Sequence, residues 1–328
     1  MPTRSAEPVV NTKFDAAELI PYLESRYRLA QLVGCEFIRR GFNDHYLVTT
    51  GKDRFVFRIY FNGKYYISGA DDFRFELDLL THLSGEGVPV SSPIANVDGE
   101  TLGSIASPAG ARSCALFTFA EGQSYRDEPL TPGRARNLGN AVARFHDSAD
   151  RFRTSHPRYS FDLTWLADEP LRLLGEALAA HGREGLNACL PRIDALKRQI
   201  ARLPKEGPGY GIIHGDLHGG NYFFDAEDRP ALFDFDHGGY GWRAYDVSVC
   251  LRRAPDDARN AFLAAYREIR PFSEAEVEVI PAFQQIRPLW DMGDLIAMRP
   301  AWGDGPADEE TCDRFRVEMM KRYGPGAG

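Results

Sequence analysis

Eight residues, His214-Gly215-Asp216-Leu217-His218-Gly219-Gly220-Asn221, constrain this chain more than any other stretch, because they are polar and glycine-rich and lie between apolar runs. Tyr210-Gly211-Ile212-Ile213 leads in, Tyr222-Phe223-Phe224 leads out, and Ala231-Leu232-Phe233 returns across the turn Asp225-Ala226-Glu227-Asp228. Apolar runs broken by turn residues predict a strand, a loop and then a hairpin. Thirteen residues past Asn221, the hairpin delivers Asp234-Phe235-Asp236. In-line phosphoryl transfer asks a protein for positioning and charge neutralisation more than for covalent chemistry. Asp216 can orient a hydroxyl, and the Asn221 carbonyl and Asp234 carboxylate are hard oxygen ligands suited to Mg²⁺.

The pattern His-x-Asp-x-x-x-x-Asn resembles the catalytic loop of protein kinases. With Gly215, His218 and Gly220 in place, it resembles more closely the aminoglycoside phosphotransferase and choline kinase superfamily. Asp234-Phe235-Asp236 is similar to that superfamily's counterpart of Asp-Phe-Gly. The resemblance implies an α+β, two-lobed protein-kinase-like fold: a small antiparallel-sheet N-lobe with one main helix, and a larger, mostly helical C-lobe. It implies ATP and Mg²⁺, with Asp216 catalytic and Asn221 and Asp234 on the metal. His214, His218 and Asp246, the last ending Gly241-Trp242-Arg243-Ala244-Tyr245-Asp246, support the catalytic loop.

Two other readings of the loop compete. His-Gly-Asp with a nearby Asn also describes a polar turn after a strand. Asp216 and His218 within Gly-Asp-Leu-His-Gly also resemble the first metal motif of calcineurin-like metallophosphoesterases. That dinuclear site needs further histidines, but Gly220-Asn221 runs into Tyr222 and no Gly-His-x-His occurs.

Upstream, Tyr46 to Thr50 and Arg54 to Tyr60 flank Gly51-Lys52-Asp53 and predict a hairpin able to fold over phosphates, with Gly41 and Asn43 allowing close backbone approach. Val56, Arg58 and Tyr60 share one strand face, so Arg58 is the candidate phosphate contact; an exposed strand cation is the plainer alternative. Asp72 can cap a helix with the stripe Phe73, Leu77, Leu80, Leu83, and Glu76 at the edge of that stripe is the candidate partner of Arg58. The resemblance places this ion pair on the α- and β-phosphates, with arginine where protein kinases carry lysine. Val88-Pro89-Val90, Leu102 to Ala106 and Cys114 to Phe119 read as strands; the resemblance makes the last of them the hinge beside the base, with Phe117 and Phe119 enclosing it, and a plain core strand is the alternative. From about residue 27 to about residue 300, the order of these segments through Glu121-Gly122 and Phe145-His146 looks most like the stress-response kinase A group and its homoserine kinase type II relatives.

At 328 residues and 43% hydrophobic, the chain can bury two lobes. The expected division is residues 1–26 as an arm and helix, 27–122 as the nucleotide-binding N-lobe with its hinge at about 117–122, and 123–328 as the C-lobe. Leu138, Val142, Phe145 and Ala149, and Ile193, Leu196, Ile200 and Leu203, have helical spacing. His146 reads as a packed core histidine. A net charge of −8 without a dense basic run argues against a nucleic-acid face. Five scattered cysteines, no signal pattern and no long apolar run suggest a reducing, cytoplasmic setting away from the membrane.

The expected partner is a small-molecule hydroxyl acceptor such as an amino sugar or amino alcohol. A Ser/Thr side chain of a protein competes, as the stress-kinase resemblance implies, and an ATP-binding module without turnover stays open. No Ala-Pro-Glu segment follows Asp236 to dock a peptide. Acceptor candidates are Asp236, His237, Trp242, Arg243, Trp290, Asp291 and Asp294, a set able to stack on a ring and hold an ammonium. A helix core stripe explains Trp290 equally well.

Overall fold

A computed structural model describes residues 11–108, 110–124, 128–179 and 184–327; the expected arm at 1–10 lies outside them. Helix α1 (Ala16–Arg26) precedes an antiparallel sheet built from β1 (Leu32–Arg40), β2 (Asn43–Thr50), β3 (Arg54–Tyr60), β4 (Pro93–Ile94), β5 (Gly103–Ile105) and β6 (Arg112–Thr118), with α2 (Ala70–Gly85) between β3 and β4. The strand order is β1-β2-β3-β6-β4, and β5 also pairs with β6. The pleat sorts β3: Phe57 and Ile59 pack with Leu19 and Leu23 of α1 in one small core, while Tyr60 joins Phe73, Leu77, Leu80 and Leu83 of α2 in the main core. Asp72 caps α2 from inside its first turn, accepting from the Ser68 and Gly69 amides.

One strand here is new and one expectation shifts. Strand β1 is ragged, with irregular register at Gly34 and Arg39 and an exposed edge, so its sequence lacks clean alternation. Val88-Pro89-Val90 is not a strand. It turns, with Val90 N–H donating to Val88 O, and Pro89 O and the Ser91 amide then bond Leu232 of the catalytic hairpin.

The second lobe holds α3 (Pro132–Arg151), α4 (Glu169–Ala177), α5 (Glu184–Ile200), α6 (Arg243–Cys250), α7 (Asp256–Arg267), α8 (Glu274–Trp302) and α9 (Glu309–Tyr323). Both heptad-like stripes foreseen from spacing are buried, on α3 and on α5 with its C-terminal turn. Set into the helices are β8 (Tyr210–Ile213) paired with β11 (Gly239–Trp242), and β9 (Tyr222–Phe224) between β7 (Gln123–Ser124) and β10 (Pro230–Leu232). The catalytic loop runs from β8 to β9. No helix among the described residues is long and apolar enough to cross a membrane.

Candidate active site

Three anchors hold the loop from beneath. Asp246, fully buried on α6, accepts from the His214 and Gly215 amides at 2.7 and 3.0 Å, and His146 of α3 sits 3.1 Å from the same carboxylate. His146 Nδ1 meets the Tyr266 hydroxyl at 2.8 Å, so this histidine belongs to the core and reaches the loop through Asp246. His214 Nε2 donates to Phe233 O, just before Asp234, and Phe233 N–H donates to Asn221 O. Gly215 has φ +79, and a Cβ there would strike the His237 carbonyl, so the turn admits only glycine.

Within the loop, Asn221 Nδ2 donates to the Asp216 carbonyl at 2.8 Å and to its Oδ2 at 3.1 Å. That spends the amide nitrogen and leaves Asn221 Oδ1 without a hydrogen bond among the described residues. Asp216 Oδ1 accepts from Arg287 Nη2 of α8 at 2.5 Å. Burial pushes the Asp216 carboxyl up, but the Arg287 guanidinium, with His218 and His237, outweighs burial and holds it below the ordinary value. Arg287 also donates to Asp291 and to the Tyr245 hydroxyl. His218 turns Nδ1 to the Gly220 amide and carries Nε2 to 3.5 Å from Asp216. Among the described residues, no group of three or more His, Cys, Asp or Glu is arranged to hold a metal ion.

Asp234 adopts the left-handed conformation, φ 69 and ψ 54, which costs a non-glycine residue ~1–3 kcal/mol and persists only where its surroundings enforce it. Its carboxylate lies 3.1 Å from Arg58 and 3.1 Å from Arg39. Burial raises the Asp234 carboxyl, and Arg58 leads the opposing charges that bring it below the usual range. Its Oδ1 is buried without a hydrogen bond. Arg58 pairs with Glu76 at 2.7 Å, and the Tyr60 hydroxyl caps the other Glu76 oxygen. Glu76 is thus a buried partner, not a residue at the rim of its helix stripe.

The loop separates two cavities. One, of about 400 Å³ between the lobes, has apolar walls from Leu47, Val56, Leu80, Phe117, Phe119 and Phe233, with Arg39, His45, Arg58, Gly220 and Asp234 at its polar end. The other, of about 440 Å³, is lined by Asp216, His218, Gly219, Arg287, Asp291 and Asp294, with Phe42, His237 and Trp290 across one end. Arg58 stacks on Phe117, with guanidinium and ring centroid 4.7 Å apart.

Several expected site residues lie elsewhere. Gly41 and Asn43 line neither cavity. The Gly41 carbonyl accepts from Trp302 Nε1, and Asn43 Nδ2 donates to Asp236 at 2.8 Å. Asp236 is itself a latch, accepting also from Lys64 and Tyr66, and Lys64 leads the charges that hold its carboxyl well below the usual range against burial. It lines neither cavity. Trp242 and Arg243, placed by sequence in the acceptor set, point the other way. Trp242 Nε1 donates to Leu203 O and Pro204 O, and Arg243 pairs with Asp150. Trp290, Asp291, Asp294 and His237 do line the second cavity. Arg39, Lys64 and Arg287 were not foreseen.

The family model of the phosphotransferase enzyme family matches residues 34–278. An uncharacterized protein of Deinococcus radiodurans is 35% identical over 331 aligned residues, covering 97% of this chain and 93% of its own. A homoserine kinase of Agrobacterium fabrum is 31% identical over 83% of this chain and 82% of its own. In fold, the chain is similar to the amicoumacin kinase hAmiN, solved in complex with AMP-PNP, Ca²⁺ and Ami, with TM-score 0.73, 22% identity and 95% of each chain covered. The chain belongs to the phosphotransferase enzyme family and is a kinase.

Proposed function

We propose that the protein transfers the γ-phosphoryl of ATP to a hydroxyl of a small-molecule acceptor, with Asp216 as the residue that orients that hydroxyl. The observation that carries this reading is the position of the catalytic loop as the wall between the two cavities, with Gly220 facing one and Asp216 the other. The apolar slot beside Phe117 and Phe119 suits a purine, and Arg58, fixed by Glu76, suits its phosphates.

The residues present fit Mg²⁺. Asn221 Oδ1 and Asp234 Oδ1 are hard oxygens; among the described residues Asp234 Oδ1 is buried without a hydrogen bond, its one charged neighbour there being Arg58 at 3.1 Å, and two protein ligands match a metal that takes its remaining positions from phosphate and water. When bound, the metal neutralises charge on the phosphates. The chain's own residues do the rest. The acceptor hydroxyl donates to Asp216, the new O–P bond forms as the bond from the γ-phosphorus to the ADP oxygen breaks, and the hydroxyl proton leaves through Asp216. Arg287 and Asn221 fix the two carboxylate oxygens, so the acid is aimed before any acceptor arrives.

A small acceptor is favoured over a protein side chain because the second cavity, about 440 Å³ and lined by the mutually packed Phe42, His237 and Trp290, is of small-molecule size. The homoserine kinase and amicoumacin kinase relatives, by their names, also act on small molecules. The unpaired cysteines, four of them buried, are compatible with a reducing, cytoplasmic location. The test is ATP consumption across a panel of hydroxyl compounds and a generic protein, for wild type and Asp216→Ala, with nucleotide affinity measured in parallel. Acceptor-dependent turnover that survives Asp216→Ala removes Asp216 from the mechanism, and turnover only with the protein substrate overturns the acceptor class.

A further inference from the structure

The second cavity is polarised along its length, and one face of α8 is its floor. Gln284, Arg287, Asp291 and Asp294 follow at helical spacing over about 15 Å, taking 1.5 Å per residue. The two ends are anchored independently. At one, Gln284 Nε2 donates to Ser248 O at 3.0 Å, and the chain leaving α6 brings Arg252 and Arg253 to the cavity wall. Both arginines are exposed, with no ion pair among the described residues. At the other end, Phe42 packs edge-on against His237 and His237 against Trp290, and Asp294 lies beside Tyr65 and His237. Asp216 lies between these ends, joined to α8 by Arg287.

Two polar atoms at the acidic end have no hydrogen-bond partner among the described residues. Asp294 is 3% exposed and, although the Tyr65 hydroxyl bonds its carboxylate, its Oδ1 accepts nothing there, and Trp290, equally buried, has an unpaired Nε1. Buried polar groups are normally satisfied, so an unpaired carboxylate oxygen lining a cavity calls for a ligand that donates to it. The acceptor oxygen calls for a cationic N–H donor. The arginines at the far end call for an anion. Homoserine carries its ammonium and carboxylate on the same side of its hydroxyl and cannot reach both ends.

Resting on the phosphotransfer reading, we infer that the acceptor is a hydroxylated zwitterion whose reactive hydroxyl lies between its two charges. The ammonium is held by Asp294, the carboxylate by Arg252 and Arg253, and the hydroxyl is presented to Asp216. Charge placement, more than size, then selects the substrate.

Four compounds isolate that pattern: 4-amino-3-hydroxybutanoate with charges on both sides, 1-amino-2-propanol with the cation alone, 3-hydroxybutanoate with the anion alone, and homoserine with both charges on one side. The expected result is kcat/KM at least about tenfold higher for the first, each missing charge being worth ~1.4 kcal/mol. Asp294→Asn should raise KM about tenfold for the amines and leave 3-hydroxybutanoate unchanged. Arg252→Gln with Arg253→Gln should raise KM only for carboxylate-bearing compounds, with kcat kept. Equal use of the four, a preference for homoserine, or an acceptor KM indifferent to both sets of substitutions overturns the inference. Calorimetric binding of each compound is read separately. If none binds, the inference falls, while Asp216-dependent ATP consumption still judges the phosphotransfer reading by itself.

Discussion

The two cavities have nearly the same volume and opposite character. The one beside Phe117 is walled by aliphatic and aromatic side chains, with charge confined to Arg39, Arg58 and Asp234 beside a buried His45. The one beside Trp290 carries charge along its whole floor. On the proposed function, the apolar slot, which can bind any flat ring of the right thickness, takes the common phosphoryl donor. The charged trough, which rejects what leaves its groups unpaired, then serves discrimination. The catalytic loop touches both, and only its own residues should affect both substrates.

Substitutions can break that division. The largest effect is expected for Asp216→Ala, in the wall itself: turnover falls by about two to four orders of magnitude while nucleotide affinity is largely kept, as read by steady-state kinetics beside nucleotide titration. Asp234→Ala belongs to the nucleotide side. It should weaken Mg²⁺-dependent nucleotide binding by about tenfold or more with acceptor affinity unmoved, and an unchanged Mg²⁺ titration would count against its ligand role. Glu76→Ala leaves the buried Arg58 with Asp234 as its remaining close counter-charge and should destabilise the fold by up to ~3 kcal/mol in denaturant melts.

A pH profile tests the acceptor side. Burial pushes Asp294 up to about 6, with His237 and Tyr65 opposing and Asp216 and Asp291 reinforcing the shift. A raised carboxyl is ionised above that value and neutral below it. KM for an amine acceptor should therefore climb about tenfold per unit as pH falls below 6, with KM for ATP flat, and Asp294→Asn should erase the climb. The smallest effect is expected at Trp242→Phe. It loses a hydrogen bond to Leu203 and Pro204 worth ~1 kcal/mol of stability and changes neither KM; a kinetic effect there would return Trp242 to the acceptor set.

How much of this was legible in the sequence follows from the range of the interactions. The catalytic loop, its hairpin and the stripes of α2, α3 and α5 are local patterns, so spacing alone exposed them. Arg58 and Glu76 are near in sequence, and strand and helix periodicity brought them together. Arg39, Lys64 and Arg287 earn their places through partners 195, 172 and 71 residues away, and no local period records such a meeting. Trp242 and Arg243 were misassigned for the converse reason. They follow Asp234 closely, but β11 pairs with β8 and carries them to the far side, where Asp150 waits on α3. Asn43 was read as a phosphate-loop residue because its tie to Asp236 spans 193 positions.

Ties between the lobes lie along both cavities: Arg58 and Arg39 meet Asp234 on one side, and a second set lies on the other. Asp236 gathers Asn43, Lys64 and Tyr66 from the N-lobe, Trp302 bonds Gly41, and Phe61 and Tyr66 are buried with Met298 and Ala301 of α8. Held along both edges, the two cavities keep a fixed separation. On the proposed function, the distance that a phosphoryl group must cross is then set by the fold before either substrate arrives.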